Sequence, residues 1–106
     1  MDRLLGHLLR ITLLVLPFIF LGCVSDPPIE DYVLADAAMT SARNSRADQY
    51  APVYWQKAQS AYVTAESLFK DREFEAAIQQ FRAAREYAER AENASRLLQF
   101  RSGEAL

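Results

Sequence analysis

Residues 74–98 read FEAAIQQFRAAREYAERAENASRLL. Phe74, Ala77, Phe81, Ala84, Ala88, Ala91, Ser95 and Leu98 recur at alternating intervals of three and four. A side chain returns to the same helix face after three or four residues, so this spacing predicts a long helix with one packing seam. The other faces carry Arg82/Glu86, Arg85/Glu89 and Glu86/Arg90. These are opposite charges four residues apart, each worth a few tenths of a kcal/mol when exposed.

Working back along the chain, Asp71 stands where a carboxylate can cap this helix by accepting its free N–H groups. Before it, Tyr54, Ala58, Ala61, Ala65 and Leu68 form a second seam, with Trp55, Tyr62 and Phe69 spaced seven apart beside it. Pro52 fits the first turn of that helix, where the N–H it lacks has no partner in any case. Two seams separated by a short turn predict an antiparallel helical hairpin. Alanine at most seam positions lets the backbones approach closely, and Leu68, Phe69, Phe74 and Phe81 fill the hairpin tip. A shorter N-terminal helix is expected over residues 29–46, with Leu34, Ala38 and Ser41 on its inner side. It is expected to dock at the wide end, near Trp55, Tyr87 and Leu98. Between Cys23 and Gly103 there is no glycine, and Pro52 is the only proline after Pro28, so the fold class is all-α.

The chain begins differently. Arg3 and Arg10 lie among leucines, and residues 11–24, ITLLVLPFIFLGCV, carry no charge. A positive start followed by an apolar run matches the plan of an export signal. Fourteen residues are too few to span a bilayer core, which takes about 20, and Pro17 interrupts the run. An uncleaved membrane helix would have to be counted from Leu4 to Val24 and would then include His7, Arg10 and Pro17. Phe20-Leu21-Gly22-Cys23 resembles a lipobox, the processing motif of bacterial lipoproteins. The resemblance implies diacylation of the Cys23 sulfur, cleavage between Gly22 and Cys23, and acylation of the new amino group. Acyl chains contribute about 0.8 kcal/mol per buried CH₂, and two or more anchor stably. Val24 follows the cysteine, as in lipoproteins sorted to the outer membrane. The expected organisation is therefore a lipoprotein signal peptide (1–22), a lipidated cysteine and proline-containing tether (23–28), a helical domain (29–102) and a short tail (103–106).

Composition narrows function. The chain has 12 Lys/Arg and 14 Asp/Glu, interspersed, and lacks the basic stripe that nucleic acid binding needs. Cys23 is the only cysteine and His7 the only histidine, both at or before the expected cleavage point. The usual general base, metal ligand and thiol nucleophile are therefore missing from the helical domain. No catalytic residue, metal site or cofactor is predicted. Glu66, Asp71, Glu73 and Glu75 crowd one turn, but helix ends account for the last three. Asn93-Ala94-Ser95 fits a glycosylation triplet by chance.

Two further resemblances carry expectations. Residues 71–84 resemble the second helix of a tetratricopeptide repeat, with Ala77, Phe81 and Ala84 at the small, aromatic and small positions and Ala65 in the preceding helix. Glu89 stands where the closing proline belongs, and such repeats need about three units for stability. One repeat-like hairpin is expected, without a peptide-binding array. The chain from the lipobox onward is also similar to a family of small bacterial envelope lipoproteins whose shared domain has no assigned function. Tyr50-Ala51-Pro52 and the Asp71-Arg72-Glu73-Phe74 turn carry that likeness, and some relatives add a peptidoglycan-binding domain of the outer-membrane-protein A type. The expected activity is non-enzymatic: a lipid-anchored module that scaffolds an envelope protein partner or self-associates. Trp55, Tyr62 and Tyr87 are the candidate docking residues, although such a stripe is more often core, and the first helix needs something to cover. A cell-wall-associated role needs polar and aromatic groups converging in a groove, which the sequence does not place.

Overall fold

The computed structural model describes residues 2–19 and 26–103. Five helices follow in order: α1 (Asp2–Ile19), α2 (Ile29–Asn44), α3 (Ala47–Tyr50), α4 (Pro52–Lys70) and α5 (Phe74–Arg101). No strand occurs among the described residues. The fold is all-α, as expected. α1 packs against none of the other helices, and no described helix is long and apolar enough to cross a membrane. Gly22 and Cys23, the expected cleavage and lipidation positions, lie outside the described residues.

The remaining helices form an up-down-up bundle. α4 and α5 are antiparallel: Phe69 meets Phe74 at the tip, Tyr62 meets Phe81, and Lys57 lies over Tyr87 nearer the other end. α5 buries Phe74, Ala77, Phe81, Ala84, Ala88, Ala91 and Ser95. These are the predicted seam positions except Leu98, which is exposed. α4 begins at Pro52 as predicted and buries Trp55, Ala58, Ala61 and Ala65. Ala58, Ala61 and Ala65 are the predicted seam positions and Leu68 is half-buried; the first turn differs, with Trp55 inside and Tyr54 outside. Burying the larger, more apolar indole removes more surface from water.

α2 packs chiefly on α5, parallel to it and antiparallel to α4, from the hairpin tip to the level of Ser95. Tyr32 sits at the tip, its ring 5.3 Å from that of Phe81 and 6.1 Å from that of Phe69, while Ser45 reaches Ser95 near the other end. Docking at the wide end alone is thus corrected, because Tyr32 completes the aromatic cluster at the tip. The buried face of α2 is Ala35, Ala38, Met39 and Ala42, and Leu34 is exposed.

Turns account for the remaining differences. Asp71 closes α4 and does not cap α5. Arg72 adopts the left-handed conformation (φ 60°), its N–H donates to the Phe69 carbonyl, and the Glu73 N–H donates to that of Leu68. This pair of bonds is a Schellman closure with arginine where glycine is usual. α2 stops at Asn44, short of the expected Arg46, because Arg46 is also left-handed (φ 61°) and redirects the chain into α3.

Candidate interaction surfaces

The aromatic candidates are distributed between core and rim. Trp55 is 7% exposed, packed among Ala38, Met39, Ala42 and Ala58, with the Arg43 guanidinium 5.7 Å from its ring centroid. Its role as a docking residue is corrected: α2 covers one side of the ring and Arg43 lies over it. Tyr62 is half-buried between Tyr32 and Phe81, and its hydroxyl donates to Asp36 Oδ1 at 3.2 Å. Burial raises the Tyr62 phenol well above its usual range, with hydrogen bonding to Tyr32 and the Asp36 charge acting in the same direction. Tyr87 is half-buried under Lys57, whose ammonium lies 5.6 Å from the ring centroid. The stripe is mainly the surface by which α2, α4 and α5 hold together.

The α2–α5 groove is ionic. Glu30, Asp31, Leu34, Arg82, Arg85, Glu86 and Glu89 line an open cleft of about 380 Å³. Arg82 pairs with Asp31 at 3.0 Å, across the groove and not with Glu86 as its spacing suggests. Arg85–Glu89 and Glu86–Arg90 form along α5 as predicted. Both arginines of this cleft are therefore already engaged, and its charge is largely compensated internally.

The wide end combines polar and apolar groups. The Ser45 carbonyl, at the end of α2, accepts from the Ser95 hydroxyl and from Gln99 Nε2 (2.6 Å). Gln99 also donates to Ser95 Oγ at 3.0 Å. This clamp fixes α2 to α5 and leaves a cleft of about 690 Å³ beside it. Asn44, Asn93 and Arg96 reach it with Leu97 and Phe100, the last 74% exposed. Sequence reasoning missed this surface. Its one signal was Leu97 and Phe100, two large apolar residues that fall off the α5 seam.

The tip carries a smaller, mostly apolar cleft of about 400 Å³, lined by Ile29, Tyr32, Glu66, Phe69 and Lys70. Ile29 and Val33 are more than half exposed beside it. Among the described residues, no group of three His, Cys, Asp or Glu is placed to hold a metal ion. The bundle thus carries a mixed polar and apolar surface at the wide end and a mostly apolar one at the tip.

A family model described as a domain of unknown function, DUF4398, matches residues 30–102, from the first turn of α2 to the end of α5. No curated protein and no solved structure matches the chain.

Proposed function

Starting from the fact that the chain belongs to the DUF4398 family, which names no activity, we propose that it is a lipid-anchored, non-enzymatic helical module of the bacterial cell envelope. The observation that carries this reading is the charge-free run ending in Gly22-Cys23, followed within a few residues by the DUF4398 bundle. The Cys23 sulfur takes a diacylglycerol, cleavage follows behind Gly22, and the new amino group is then acylated. Val24 after it favours the outer membrane, with the bundle in the periplasm. The helical domain has neither histidine nor cysteine, which supports binding over catalysis. It acts by scaffolding an envelope protein. The test is a Cys23→Ser substitution: the variant is expected to keep its helical circular dichroism spectrum, to retain residues 1–22, and to be lost from the outer-membrane fraction because its uncleaved apolar run holds it at the inner membrane. A variant that is still cleaved and still reaches the outer membrane would contradict the lipid anchor.

A second reading, cell-wall association, is favoured by the wide-end cleft. There Asn44, Asn93 and the exposed Phe100 ring line one cleft, beside Arg96, whose guanidinium is paired with Glu92 at 2.6 Å. Amide donors beside an aromatic face suit a polar glycan strand. Co-sedimentation with purified sacculi, lost on Phe100→Ala, is the expected result. Absence of co-sedimentation by the unaltered protein would remove this reading and leave the protein-scaffold role.

A further inference from the structure

We propose that the hairpin tip is seated on a zwitterionic lipid surface, so that the bundle stands end-on and carries its wide end away from the membrane. The inference rests on the lipid anchor at Cys23. Its geometry comes from where the tether enters the bundle. α2 begins at the tip, beside Phe69 and Phe81, and not at the wide end. Five residues separate Cys23 from Ile29, so the tether spans at most ~22 Å even when fully extended. α5 has 28 residues, a length of roughly 42 Å at 1.5 Å per residue. A tether shorter than the bundle holds the tip near the anchoring leaflet.

The tip has the chemistry to stay there. Ile29 is 56% and Val33 55% exposed, one helical turn apart on α2. The adjoining cleft has an apolar wall of Ile29, Tyr32 and Phe69. Side chains of this kind gain by entering the boundary between headgroups and acyl chains. Charge selects the kind of lipid. Glu30, Glu66, Asp71 and Glu73 outnumber Lys70 and Arg72 at this end, so a strongly anionic surface repels the tip and a zwitterionic one does not. At the other end, the cleft beside Phe100 faces outward, toward partners at a distance from the membrane.

The test uses the full, lipidated chain in phosphatidylcholine vesicles that contain brominated lipid. A thiol-reactive fluorophore is attached at Lys70→Cys or at Phe100→Cys. An acylated Cys23 sulfur cannot react, so an unlipidated chain reveals itself by a second label and an unshifted mass. Quenching several-fold stronger at position 70 than at position 100 is expected. The difference should shrink when Ile29 and Val33 are both replaced by serine, a change on exposed positions that leaves the helical spectrum intact. Anionic lipid at low salt should weaken quenching at position 70. Equal quenching at both positions would overturn the proposal in favour of a bundle lying flat. No quenching at position 70 of an acylated chain would overturn it too, as would tip-to-tip crosslinking that shows a second copy covering the patch. A chain without acyl groups would overturn the anchor itself, and this inference with it.

Discussion

Ser95 is the buried polar residue of the α5 seam, fully enclosed at a position otherwise held by alanine or phenylalanine. Its hydroxyl is satisfied by the Ser45 carbonyl. A buried hydrogen bond of this kind contributes about 0.5–1.5 kcal/mol. Ser95→Ala leaves the carbonyl with Gln99 as donor, so a loss of about 1 kcal/mol is expected, and the melting temperature should fall by roughly 4–8 °C. An unchanged melting temperature would mean that the clamp does not fix α2. Tyr62 makes a different prediction. Its phenol titrates higher in the folded chain than in the unfolded one. The stability it contributes is therefore complete below the unfolded value of about 10 and is lost as pH rises above that value toward the folded one. Urea midpoints should be flat between neutral pH and the approach to this window, then decline. Tyr62→Phe should make the decline shallower, and an identical slope in the variant would contradict the assignment.

At the scale of elements, the hairpin turn stores strain. Arg72 holds a left-handed conformation that costs a side-chain-bearing residue about 1–2 kcal/mol. Glycine removes that cost but gives the unfolded chain more freedom, worth about 0.4–1 kcal/mol. The balance predicts that Arg72→Gly stabilises the protein by about 0.5–1 kcal/mol, read as a higher urea midpoint at constant slope. A destabilised variant would mean that the arginine side chain contributes more than the turn costs. The same turn marks where sequence reading stops. Asp71 has the chemistry of a cap, but the closure is made by backbone bonds from Arg72 and Glu73, which composition does not announce. The α5 seam was legible from Phe74 to Ser95 because α2 and α4 both bury that face. Leu98 fails since α2 ends at Asn44, and its side chain is left 44% exposed beyond that end. In α2 the contrast between faces is weak. Leu34 and Ala35 are neighbours, and packing against α5 favours the small residue, which lets the backbones close. In α4, Trp55 and Tyr54 compete in the same way, and the choice depends on α2, whose path the hairpin pattern does not contain.

For the whole molecule, the consequence is a core built mainly of alanine. Among the described residues, twelve of the sixteen buried apolar side chains are alanines, with Met39, Trp55, Phe74 and Phe81 as the large members. Such a core brings helices close but removes little apolar area per residue, so stability depends on the aromatic cluster at the tip and on the polar clamp at the wide end. The two ends differ in the surface they offer. Neither surface was visible in the one-dimensional pattern, because each is assembled from helices distant in sequence: Ile29 with Phe69 at one end, Asn44 with Asn93 at the other. The proposed anchor position, by contrast, rests on a local motif and is read from residues 11–23 alone. The most direct test of the lipid-anchored module is the intact mass of the protein purified from bacterial membranes, beside a Cys23→Ser control. The account predicts a mass equal to residues 23–106 plus a diacylglycerol and a further acyl group, absent in the control. An unmodified chain that retains its first 22 residues would contradict it.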